Sequence, residues 1–86
     1  MLTLTRLVHP KEILSENELL MLLNFELSAY DECADCHFTS VKHTPRDETG
    51  SNWRAARLES HDKVTEAERS IASHVIDEVH EEYNLE

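Results

Sequence analysis

Glycine, proline and basic side chains are scarce in this sequence. One glycine (Gly50) and two prolines (Pro10, Pro45) stand among 86 residues, so chain-breaking positions are few and substantial helix is expected. Eight Lys and Arg face 18 Asp and Glu, a formal charge of −10 with the histidines neutral. That balance argues against direct nucleic-acid contact, which needs clustered cations, and against docking on anionic lipid. Long apolar runs are missing too. The longest, Leu19 to Leu23, is five residues, against the ~20 that cross a bilayer. The opening residues, Met1-Leu2-Thr3-Leu4-Thr5-Arg6, lack the basic-then-apolar order of a secretory signal. The expectation is a cytoplasmic protein with no membrane partner, whose two cysteines stay reduced.

Shortness sets a further bound. The chain is expected to form one domain, residues 1–86. Its 40% hydrophobic content is too high for a disordered acidic tail. A domain of this size buries only ~60% of its unfolded surface. That leaves little room for an enclosed pocket with catalytic groups around it. No phosphate-binding loop, nucleophile elbow or internal repeat is present, so a non-catalytic protein is expected.

What the sequence does contain is two well-signalled helices. Ser15-Glu16-Asn17-Glu18 is a capping box, with Leu14 and Leu19 placed as a hydrophobic staple. Leu20, Leu23, Leu27 and Tyr30 then recur at helical spacing, which predicts a helix over 16–29. Thr65-Glu66-Ala67-Glu68 is a second capping box. The stripe Ala72, Ile76, Val79, Tyr83, widened by Ile71 and Val75, predicts a helix over 66–83. Glu66 and Glu68 suit the positive end of that helix, whereas Glu81, Glu82 and Glu86 sit at the wrong end.

Between the helices, residues 37–44 are rich in Thr, Val and Phe and read as a strand. Residues 45–52 hold Pro, Asp, Gly, Ser and Asn and read as a loop. Residues 53–60 would suit helix by their Ala and Arg content, but their place after the loop favours the second arm of a hairpin, and Leu2, Leu4 and Val8 offer a further edge strand. The expected class is α+β: two helices on one face of a two- or three-stranded antiparallel sheet.

Cys33-Ala34-Asp35-Cys36-His37 is the one local motif able to carry chemistry. A C-x2-C pair suits tetrahedral zinc, with His37, His43 or His61 completing the set. It is half a site, since no second C-x2-C follows. The alternative is two reduced thiols packed as small hydrophobes, with no cofactor. A redox role fits poorly, because Asp31, Glu32 and Asp35 flank the pair and carboxylates raise a thiol pKa. His74 and His80 lie among carboxylates on the second helix and read as solvated. Trp53 has two readings: the core anchor of the hairpin, or an exposed contact residue.

Two surface features point to protein contact. The first helix is apolar around more than one face, and a thin monomer leaves Met21, Leu22 and Phe25 without cover. A homodimer would cover them. Asp77, Glu78, Glu81, Glu82 and Glu86 crowd the last ten residues with no Lys or Arg among them. Such an array steers toward a basic protein partner; otherwise it is a solvated face.

Cys33-Ala34-Asp35-Cys36-His37-Phe38-Thr39-Ser40-Val41, then Gly50-Ser51-Asn52-Trp53, then Tyr83-Asn84-Leu85, resembles a pattern in short, uncharacterised proteobacterial proteins of chromosomes, prophages and plasmids. In some of those a cysteine follows the glycine, where this chain has Ser51, so any thiol cluster is depleted here. The resemblance implies a small protein that binds or inhibits a host protein. The function expected is an acidic, non-catalytic modulator of a basic, nucleic-acid-binding partner. A zinc-stabilised module and a structural subunit of a larger assembly are the alternatives.

Overall fold

The computed structural model describes residues 11–48 and 50–86, Ala56 by its backbone alone. Both capping boxes start the helices that the sequence assigns to them. Helix α1 spans Glu16–Leu27; the Ser15 hydroxyl accepts from the Glu18 N–H at 3.2 Å, and the Glu18 carboxylate accepts from the Ser15 N–H at 3.0 Å. Helix α2 spans Glu66–Glu82, with the same reciprocal pair between Thr65 and Glu68 at 3.1 and 2.7 Å. Each box satisfies two backbone N–H groups that a bare helix end leaves open.

Among the described residues four strands complete the α+β fold. A short strand β1 (Glu12–Leu14) precedes α1, and a 3₁₀ turn (Asp31–Cys33) follows it. Strands β2 (His37–His43) and β3 (Trp53–Glu59) form the expected antiparallel hairpin. Strand β4 (Tyr83–Leu85) follows α2 directly and pairs in parallel with β1. The antiparallel sheet thus has two strands, and the additional strands form a separate parallel pair. The edge strand expected from Leu2, Leu4 and Val8 lies outside the described residues.

Two boundaries differ from the sequence reading. Helix α1 stops at Leu27, with Ser28 as its cap, two residues before Ala29. Helix α2 stops at Glu82, because Tyr83 turns extended (φ −136°, ψ 144°) and joins β4. The Tyr83 carbonyl accepts from the Trp53 indole N–H at 2.9 Å, a bond that a further helical residue would forfeit.

The core draws on both layers: Leu19, Leu23 and Leu27 from α1, Phe38 and Val41 from β2, Trp53 from β3, Ala72, Val75 and Val79 from α2, and Leu85 from β4. Phe38 and Val41 are three residues apart and would face opposite ways in a regular strand. Register shifts between Phe38 and Val41 bring both side chains inward.

Asparagine side chains finish two strand edges. The Asn24 amide donates to the Phe38 carbonyl (3.1 Å) and accepts from its N–H (2.7 Å), pinning α1 to β2. Asn52 treats Leu85 the same way, at 2.9 Å in both directions. Asn84 in turn donates to the Gly50 carbonyl (3.0 Å) and accepts from the Asn52 N–H (3.3 Å). Gly50 has φ +85°, a conformation that glycine adopts without the penalty other residues meet. The quoted segments Gly50-Ser51-Asn52-Trp53 and Tyr83-Asn84-Leu85 are therefore two halves of one interlock between loop and tail.

Candidate functional site

The carboxylates of α2 divide between two sides of the helix. Glu78 and Glu82, one turn apart, face α1. With Glu26 they rim a groove of about 290 Å³ whose apolar lining is Leu22, Val79 and Tyr83. No cation lines it. Asp77 and Glu81 face the other way, into an open cleft with Lys11, Asp47 and His80. Asp77 and Glu81 thus line a different depression from Glu78 and Glu82.

Met21 and Phe25 are each 72% exposed, one turn apart on the outer side of α1. Leu22 is half-buried and belongs to the groove. Positions 22 and 25 are neighbours on a helix surface, so the groove passes into the Met21–Phe25 strip. The sequence expectation that these side chains outrun the monomer's cover holds for Met21 and Phe25, and only in part for Leu22.

Trp53 stands in the core, as the anchor of the hairpin. It is 2% exposed, its indole N–H is bound to Tyr83, and its ring lies 4.2 Å from the His80 ring, tilted by 56°. Burial of so large an apolar surface outweighs any use of it outside. His80 is half-buried rather than fully solvated: its Nε2 meets the Trp53 carbonyl at 2.8 Å, which places the proton on that nitrogen. His74 does stand in solvent, 3.5 Å from the Glu78 carboxylate.

The metal set proposed from sequence comes apart. His37 and His43 are exposed at opposite ends of β2, ~20 Å apart at strand rise. Among the described residues no group of three or more His, Cys, Asp or Glu is placed to hold a metal ion. Cys33 is buried, with its Sγ 3.8 Å from the Glu68 carbonyl, and Cys36 is half-buried beside the Glu68 side chain and Ser60. Burial pushes the Cys33 thiol up, as do the charges of Glu68 and Glu32 against a lowering hydrogen bond from Cys36. Burial pushes Cys36 up to about 11, and the Glu68 carboxylate adds to it. Burial thus favours the protonated form of both thiols, unlike the low-pKa thiolate of a redox pair.

Lys11 was missed by the sequence reading. Its ammonium donates to the His80 carbonyl at 2.6 Å and to the Ser51 hydroxyl at 3.0 Å. It brings a lysine charge to the C-terminal end of α2, whose own last turn has His80 as its basic residue. Ser51 is only 1% exposed, whereas Lys11 also lines the open cleft. No pattern in the sequence marks a lysine ahead of the first helix for this role. Glu26 was also missed, although it lies one turn beyond Leu22 on the same face of α1; Glu68 was read only as a capping and dipole residue.

No family model matches the chain. No curated protein and no solved structure matches it either. The site is therefore read from its own geometry. Among the described residues no helix is long and apolar enough to cross a membrane.

Proposed function

We propose that this chain is a non-catalytic binding module that docks a basic, amphipathic segment of a partner protein between α1 and α2. One observation carries the reading: an apolar strip of Leu22, Val79 and Tyr83 is rimmed by Glu26, Glu78 and Glu82 with no cation among the lining residues. Such a groove suits apolar side chains flanked by Lys or Arg. The net charge of −10 speeds encounter with a cationic surface. A partner whose basic segment normally meets nucleic acid would be masked by docking here, which makes the protein a modulator or inhibitor of that partner.

The test uses a synthetic helical peptide with Leu on one face and Lys on the other. Calorimetry should find saturable binding that weakens as salt rises to about 0.3 M, where exposed charges are strongly screened. Glu78→Gln with Glu82→Gln should weaken it further than Asp77→Asn with Glu81→Gln. Equal effects of the two double variants, or binding indifferent to salt, would count against the groove.

A second reading rests on the 72% exposure of Met21 and Phe25: a second copy of the chain covers this strip, giving a homodimer.

A further inference from the structure

The face of α2 away from α1 carries a groove of opposite character. It lies between β3 and α2, about 240 Å³ in volume, floored by Phe38, Ala55, Leu58, Ala72 and Ile76. Its charged lining residues are Arg57 and Arg69, with no carboxylate among them. In a chain with only eight Lys and Arg this is an unusual concentration. Arg57 is partly engaged by Glu59 at 3.5 Å, in an exposed pair that contributes little.

The strand beside this groove is a sheet edge. β3 pairs with β2 on one side, and no described strand pairs with it on the other. The Asn52 carbonyl accepts from Thr44 on the β2 side at 2.8 Å; the next carbonyl, Trp53, turns the opposite way to meet His80 on α2 at 2.8 Å. By the two-residue period of a strand, Ala55 directs its backbone groups toward the groove as well. The edges of β2 and β4 are each taken by an asparagine side chain, whereas beyond Trp53 no strand among the described residues takes this one.

We infer that β3 and α2 together form a docking site for an extended acidic segment of a partner protein, which adds to β3 as a strand. The backbone of the segment pairs with the β3 edge near Ala55. An apolar side chain enters between Leu58, Ala72 and Ile76, and flanking carboxylates meet Arg57 and Arg69. Charge complementarity selects the occupant: a basic segment would set its cations against two arginines. This site is separate from the α1–α2 groove and has the opposite preference, so one module can hold two partner segments of unlike charge.

The experiment is an amide-shift titration of the ¹⁵N-labelled full chain with acetyl-Val-Asp-Val-Asp-Val-amide, and separately with the same peptide carrying Lys for Asp. The acidic peptide should move the amides of Ala55, Arg57, Ala72 and Ser73 saturably, and the Lys peptide should leave them in place. Arg69→Gln and Arg57→Gln should each weaken binding by roughly two- to fivefold, the size of an exposed ion pair, while Arg54→Gln leaves it unchanged. Saturation by hexanoate with higher affinity than the peptide would overturn the proposal in favour of a small-acid site. Equal response to both peptides, or no change on Arg69→Gln, would overturn it outright.

Discussion

Asn52 holds Leu85 by both of its backbone groups, accepting from the N–H and donating to the C=O at 2.9 Å each. A side-chain amide thereby stands in for a neighbouring strand. With Trp53 bound to the Tyr83 carbonyl, it closes the side of β4 that β1 does not reach. Removing it leaves two polar groups at a residue that is otherwise buried. Asn52→Ala should cost roughly 2 kcal/mol in urea unfolding followed by the fluorescence of the single tryptophan. Asn52→Asp should cost more, because a carboxylate oxygen then faces the Leu85 carbonyl. Equal stability of all three proteins would show that the interlock carries no weight.

The buried thiols give a pH prediction with a definite sign. Cys36 has its folded pKa raised from 9.0 to about 11, and Cys33 is raised as well. A raised thiol contributes stability below its unfolded value and loses that contribution as pH climbs through the folded one. Stability should therefore fall between about pH 9 and 11. Alkylation at neutral pH should be slow in the native protein and ordinary in denaturant. Melting should be unchanged by zinc or by chelator. Rapid native alkylation, or a zinc-dependent rise in melting temperature, would restore the thiol chemistry set aside above.

Glu68 supplies the acid-side counterpart. Its carboxylate accepts from the Thr65 N–H, and that bond first of all holds its pKa below 4.5. The contribution is present above the unfolded value and is lost as pH falls through the lowered folded one. Glu68→Gln should flatten the acid limb of the stability profile while keeping an acceptor for Thr65. Thr65→Ala should cost about 1 kcal/mol at neutral pH, as helix N-caps do. An acid limb identical in wild type and Glu68→Gln would assign the acid sensitivity to other groups.

Self-association is tested at Met21 and Phe25. Because both are exposed, Met21→Glu with Phe25→Glu should change stability by no more than about 0.5 kcal/mol. Sedimentation of the wild type should approach twice the single-chain mass as concentration rises, and the double variant should not. A wild type that stays at the single-chain mass throughout removes the dimer.

The parts legible in the sequence were those written in local chemistry. Two capping boxes, two stripes at helical spacing and a loop rich in turn residues located both helices and the hairpin to within two residues. The parallel pair β1–β4 was not legible. Each strand has three residues, too few for an alternation to register, and the partners are about 70 positions apart. Tyr83 continued the helical stripe and so concealed the switch into β4. Of the candidate site, Leu22, Glu78 and Glu82 were named from the sequence but could not be separated from Asp77 and Glu81, because adjacent residues diverge by a helical turn angle that only packing orients. Asn24 was a readable signal that went unused: a polar residue closing a run of five apolar ones, placed where the helix meets β2.

The central claim, that basic segments dock between α1 and α2, is tested most directly by mapping the amide shifts of the ¹⁵N-labelled chain on titration with the Leu/Lys helical peptide. The account predicts saturable shifts centred on Leu22, Glu26, Glu78, Val79, Glu82 and Tyr83, reversed by salt. Shifts centred instead on Lys11, Asp47, Asp77 and Glu81, or spread evenly over every acidic residue, would contradict it.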